Sequence, residues 1–179
     1  MNHETIIEFY FNTTTEKQNQ NFYFNYAWRK VWKSWVKITI LAVIFLFLGF
    51  YPIENFDTNL WYYFFKYAGI FLAGYSFIII NQYFTSKKKF KIEIDKMIDK
   101  FSAKNEPHFL ILNDESIEFK NPFNTIKSSW ENTSYKIAGD YIIISPIKNI
   151  FYITHKSEVS EDQYKIMIQY LIRNSKEQK

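Results

Sequence analysis

Two long apolar runs dominate the chain, Ile38–Ile53 and Leu60–Phe84, and only the acidic segment Glu54-Asn-Phe-Asp-Thr-Asn59 parts them. The first carries no charge over 16 residues, about 24 Å of helix at ~1.5 Å per residue. That is short for a hydrocarbon core of ~30 Å, but Trp35, Val36 and a snorkelling Lys37 lengthen it. The second run is longer and holds Lys66 near its start, beside the aromatic collar Trp61-Tyr62-Tyr63. The pattern predicts an antiparallel transmembrane helical hairpin, spanning at about 36–53 and 60–84, with an external loop at 54–59. Lys66 reads as a snorkelling residue answered by Glu54 and Asp57, with an ion-pathway lysine as the alternative.

Upstream, Glu4–Phe11 alternates, with Ile7, Phe9 and Phe11 on one face, so residues 1–12 are expected to give a strand that joins a soluble sheet. Thr15 with Gln18 resembles a capping box, which places a helix start near Glu16. No Pro or Gly interrupts the chain from there to Gly49, so 16–53 reads as one helix. Trp28, Trp32 and Trp35 form one stripe along it. Arg29, Lys33 and Lys37, with Lys30, form a neighbouring one. Indoles and long cations of this kind mark a membrane interface. The competing reading makes the tryptophans a soluble core packed against another helix. Beyond the second run, Lys87, Lys88 and Lys89 open a basic exit ending at Lys91. Cations outside both runs put both chain ends in the cytoplasm, and the lysine cluster is suited to anionic lipid. Gly69, Ala73 and Gly74 offer a small-residue face, read as packing of the hairpin on itself, with homodimerisation as the sharper alternative.

The second helix is expected to run from 60 to 104, because Phe90, Ile94, Met97 and Phe101 keep helical spacing past the lysines. Phe22 and Tyr26 are the candidates to cover that stripe, which predicts a two-helix cytoplasmic stalk. After Asn105-Glu-Pro107 the period changes to alternation. Phe109–Leu112, Ser116–Lys120, Thr125–Trp130, Tyr141–Ser145 and Ile150–Thr154 read as strands. Asn113-Asp114, Asn121-Pro122, Gly139-Asp140 and Pro146 with Lys148-Asn149 read as the turns between them. A last helix is capped by Ser160 with Gln163 and buries Tyr164, Met167, Ile168 and Leu171. Residues 107–179 thus have the outline of a pleckstrin-homology-like (PH-like) half-barrel, a small antiparallel sheet capped by a C-terminal helix. The fold class expected is an α+β membrane protein.

Taken together, Thr13–Glu16, the hairpin Ile38–Phe84, Lys87–Lys91, the strand Ile126–Trp130, Gly139–Ile144 and the helix Ser160–Ile172 resemble the YcxB-like family of bacterial membrane proteins. The likeness runs over nearly the full chain and departs from the family pattern at Ile153-Thr-His-Lys156. It implies a multi-pass protein of the bacterial inner (plasma) membrane that carries a PH-like domain.

Composition narrows the function classes. The net charge of +4 is shared out as five Lys/Arg against three Asp/Glu before residue 38 and sixteen against thirteen after residue 84. That is no nucleic-acid surface. Absence of cysteine excludes disulfides and thiolate chemistry. Met1–Phe11 lacks a basic start and holds Glu4 and Glu8, so it does not read as a secretory signal. His3, His108 and His155 show no metal-ligand spacing, and the glycines build no phosphate loop. Neither a cofactor, a metal site nor a catalytic group is predicted. Trp130 reads as core or as an exposed interaction residue, and His155 as a solvated side chain with the same secondary role. The expected function is a non-enzymatic interaction module for a protein partner or anionic lipid, held at the bilayer. The alternative is an immunity protein against a membrane-acting toxin, working through Glu54, Asp57 or the Gly69/Ala73 face.

Overall fold

The computed structural model describes residues 4–51, 60–104 and 106–177. His3, Pro52, the segment with Glu54 and Asp57, and Asn105 lie outside the described residues. The chain is α+β and divides into two compact units, one built from Phe24–Glu93 and the other from the residues before and after it.

The Phe24–Glu93 unit consists of parts of two helices, α1 (Thr13–Phe50) and α2 (Leu60–Lys104). They are antiparallel: contacts step down α2 as they climb α1. Phe24 meets Phe90 at 5.1 Å between ring centroids, and the Thr39 and Ser76 hydroxyls lie 2.8 Å apart. Further along, Phe45 packs on Phe65 at 5.1 Å. Backbones come closest at two glycines. A Cβ on Gly49 would stand 2.5 Å from Lys66 Cα, and one on Gly69 2.8 Å from the Leu46 nitrogen. Both helices are long and apolar enough to cross a membrane. Their most apolar 18-residue windows are only 6% and 17% buried, far less than core helices of a water-soluble protein would be.

The other unit holds two four-stranded sheets. One has the order β1 (Thr5–Phe9), β2 (His108–Leu112), β3 (Ser116–Lys120), β4 (Thr125–Ser129), all antiparallel. The second runs β7 (Ile150–His155), β6 (Tyr141–Ile147), β5 (Ser134–Ala138), β8 (Lys176–Glu177), the last pairing being parallel. Helix α3 (Glu161–Asn174) closes the core, where Ile7, Leu110, Leu112, Ile117, Ile142, Ile144, Met167 and Leu171 are almost wholly buried. Ser160 and Gln163 cap α3 reciprocally, as their spacing predicts. Asn113 and Asn121 fold their own turns, each side-chain oxygen accepting backbone N–H groups two and three residues on.

Several expectations need correction. Helix α1 starts at Thr13, not near Glu16, because Asn12 rather than Thr15 is its cap: Asn12 Oδ1 accepts from the Thr14 and Thr15 amides at 3.0 Å. Pro146 is no turn. It lies buried inside β6, at the irregularity between Ile144 and Ile147, where the missing N–H does no harm. Its carbonyl accepts from Ser128 Oγ at 2.6 Å and ties β4 to β6. Strands β5 and β8 were not anticipated, and two sheets replace the single meander. Finally, the ends of the long helices are not a bare stalk. Within the α+β unit Phe11 stacks on Phe101, Phe22 stacks on Tyr141 at 3.8 Å, Lys17 pairs with Asp95, and Asn19 is buried against β7. In the Phe24–Glu93 unit Phe90 packs on Phe24.

Candidate binding site

The tryptophan stripe turns toward α2 in the hairpin. Trp28 and Trp32 both pack edge-on against Tyr83, at 5.2 and 4.9 Å, and Trp35 Nε1 donates to the Ser76 carbonyl at 3.2 Å. The rings are half-buried, with one side packed on α2. Arg29, Lys30, Lys33 and Lys37 are exposed, as are Lys87, Lys88 and Lys89, and antiparallel pairing gathers all seven at one end of the hairpin. At the other end Trp61 is exposed and Lys66 Nζ lies over the Phe50 and Tyr62 rings. The small residues split: Gly69 is a close approach and Ala73 is half-buried, while Gly74 faces open space. Gly49, outside that small-residue face, makes the closer approach of the two glycine contacts.

Trp130 is core. It is 5% exposed, its Nε1 donates to the Asn113 carbonyl at 2.8 Å, and it stacks on Tyr170. That removes it as an interaction residue: the indole N–H has a partner and the ring has no free face. His155 is not simply solvated either. Its Nδ1 accepts from the Ser157 amide as the cap of a short 3-10 turn, and its ring meets Tyr141 edge-on. Beside it Lys156 pairs with Asp140, which holds that exposed carboxyl below its usual range.

The α+β unit contains a cavity of about 100 Å³ that residue spacing did not reveal. It opens where β2 and β3 part from β7. Phe119 and Tyr152, stacked on each other at 3.7 Å, form part of its wall, and Phe9, Phe109 and Leu110 add apolar surface. Its polar lining comes from distant parts of the chain: Glu16 from the first turns of α1, His108 from β2, Lys120 at the end of β3, and Glu158 after β7. Burial raises the Glu16 carboxyl above its ordinary value and the Glu158 charge raises it further, against a hydrogen bond from Gln20 that lowers it. Gln20 Nε2 donates to Glu16 Oε1 at 2.7 Å. Glu158 Oε1 accepts from the His155 amide at 2.6 Å and from Asn19 Nδ2 at 2.8 Å, and Asn19 Nδ2 also reaches the Ile153 carbonyl. Burial lowers His108 below the usual imidazole range, so at neutral pH the ring is uncharged. Among the described residues His108 Nε2, Asn19 Oδ1 and Asn174 Nδ2 are buried without a hydrogen-bond partner, and of these three residues His108 is the one that lines the cavity. Among the described residues no set of three or more His, Cys, Asp or Glu is spaced to hold a metal ion. No protein-family model, curated protein or solved structure matches the chain.

Proposed function

We propose that this protein is an integral membrane protein whose hairpin anchors the α+β unit as an interaction module. The observation that carries this reading is the exposure of the apolar helix surface. Ile40, Val43, Ile44, Phe47, Phe64, Ile70, Phe71, Phe77 and Ile78 are all exposed. An apolar surface of that extent is stable only against lipid or another protein. The gathered cations support an orientation in which this end of the hairpin faces the cytoplasm and meets anionic headgroups. The resemblance of the sequence pattern to YcxB-like proteins is in keeping with the same assignment. On this reading the α+β unit takes a protein or lipid partner near the bilayer and performs no reaction of its own.

Labelling tests it directly, since the chain has no cysteine. The full-length protein should stay in the membrane through alkaline carbonate washing. An Asn55→Cys variant should react with an impermeant maleimide on intact cells, and a Phe123→Cys variant only after lysis. Release by carbonate, or the reverse labelling pattern, would sink the proposal.

A further inference from the structure

We propose that the outer edge of β1 is a docking site for an extended segment of another protein, which joins the sheet as a fifth strand. Its solvent-facing side chains would alternate basic, aliphatic, basic. The α+β unit has four sheet edges, and three of them are closed. Strand β4 is tied to β6 by the bond from Ser128 to the Pro146 carbonyl. Strand β7 is lined by α1, whose Asn19 Nδ2 donates to the Ile153 carbonyl. Strand β8 is only two residues long, too short to template a neighbour. Strand β1 is five residues long and pairs with β2 on one side. Among the described residues no backbone group bonds to its other side. Ile6 and Glu8 on it are exposed. Such a row of unpaired N–H and C=O groups is where an incoming strand adds.

Side chains on the edge select the partner. Ile7 is fully buried, whereas Glu4, Ile6 and Glu8, which alternate with it, are exposed. Ile6 pairs with Ile111, so an aliphatic step lies between two carboxylates. Among the described residues no Lys or Arg nitrogen comes within 4.0 Å of Glu4 or Glu8, and the Tyr10 hydroxyl is the neighbour of Glu8. A second copy of β1 is a poor occupant. With Ile7 kept on the buried side, an antiparallel pair centred on Ile6 sets Glu4 against Glu8 at both ends. Centred on Ile7 it sets Ile6 against Glu8 twice, and centred on Glu8 it sets that carboxylate against itself. Like charges directly opposite destabilise a ladder, and opposite charges stabilise it. The glutamates therefore disfavour self-pairing and favour a strand with Lys or Arg opposite each of them and an aliphatic residue opposite Ile6. The inference rests on the reading of the α+β unit as an interaction module and names its partner's chemistry; it does not depend on the hairpin spanning a bilayer.

The test uses the full chain in neutral detergent micelles and a dye-labelled, end-capped peptide, Thr-Lys-Thr-Val-Thr-Lys. Aligned antiparallel to β1, it sets its lysines opposite Glu8 and Glu4 and its valine opposite Ile6. Fluorescence anisotropy should show saturable binding, and a peptide with Glu in place of both lysines should not bind. Glu8→Lys lies on the surface, so its circular dichroism should match the parent protein. It should weaken the lysine peptide about fivefold or more and prefer the glutamate peptide instead. Two further peptides carry N-methyl groups on alternate residues, one set on each edge. One of them should lose binding and the other keep it, because only one edge meets β1. Equal affinity of the two methylated peptides overturns strand addition, and equal affinity of the lysine and glutamate peptides overturns the charge selection. Near-complete oxidative cross-linking of an Ile6→Cys variant would put a second copy on the edge and overturn the inference too. No peptide binding by a protein that passes the carbonate and labelling tests refutes this inference and leaves the membrane anchor standing.

Discussion

Replacing Gly49 by alanine puts a methyl group where the second helix already is. The added carbon would lie 2.5 Å from Lys66 Cα and 2.6 Å from Lys66 N, against the 3.4 Å at which ordinary contact begins. Both obstacles are backbone atoms, so no side chain can rotate away, and α1 and α2 must part locally by about 1 Å. A gap of that size forfeits roughly a quarter to a half of each dispersion well across the seam. The neighbouring Phe45–Phe65 and Leu46–Gly69 contacts would feel it first. Overpacking of this kind costs about 1–3 kcal/mol, offset by at most ~1 kcal/mol from the better helix propensity of alanine. With that offset taken in full, a net loss of up to about 2 kcal/mol is expected. Gly74→Ala is the internal control: nothing lies within 4 Å of its Cβ, so it should be neutral or slightly stabilising. Titration of the full chain from mild detergent into dodecyl sulfate, followed by helix content, reads both. Gly49→Ala matching the parent protein would refute the close-approach reasoning. Gly74→Ala losing as much as Gly49→Ala would show that its open face is covered by something, a second copy being the first to examine.

Three further expectations concern the α+β unit. Asn12→Ala should cost about 1 kcal/mol through loss of the α1 cap, whereas Thr15→Ala should stay within ~0.5 kcal/mol; denaturant melts showing the opposite ranking would restore Thr15 as the cap. Leu171→Ala should lower stability by about 2–5 kcal/mol, since that side chain is fully buried, while Ile172→Ala, at a position 62% exposed, should stay within ~0.5 kcal/mol. For Glu16, burial and the Glu158 charge raise the folded-state value, so the folded state holds the proton more tightly than the unfolded one. Stability is therefore lost as pH rises from the ordinary carboxylate range through the raised value. Glu16→Gln should be more stable than the parent protein at pH 7.5, with the difference shrinking as pH falls toward that range; a pH-independent difference in melting temperature would contradict this.

What the sequence disclosed follows from how local each signal is. The hairpin and α3 are legible because their periodicity is long and their signals adjacent, as with Ser160 and Gln163. Asn12 and Thr15 show the limit of this. Both are good caps, and the choice between them depends on where β1 releases the chain. Strand β5 was invisible because Tyr135 is buried while Ile137 is exposed, so its apolar residues do not sit on one buried face. Pro146 misled because a bulge that tolerates proline is a property of the pairing between strands. Trp28 and Trp32 carry the composition of an interface belt, and their contact with Tyr83 comes from a helix some fifty residues on, which no local spacing shows. The cavity is the extreme case. Glu16, His108, Tyr152 and Glu158 are brought together by the packing of α1 with the sheets, and no spacing along the chain foretells it.

The pairing of Thr5 with Leu112 also sets a timetable for biosynthesis. Strand β1 leaves the ribosome before the entire hairpin, and its partner β2 only after it. Until then β1 has no ladder to join, so the sheet cannot close during early translation. The hairpin must be made, and in a cell settled, while the first strand waits. The same closure means that a fragment beginning at Pro107 is not a domain. It lacks Ile7, which is fully buried in the core, and leaves the β2 edge from His108 to Leu112 unpaired and prone to aggregate. Expressed alone, that fragment should pellet, and adding residues 1–12 as a separate peptide should return part of it to solution.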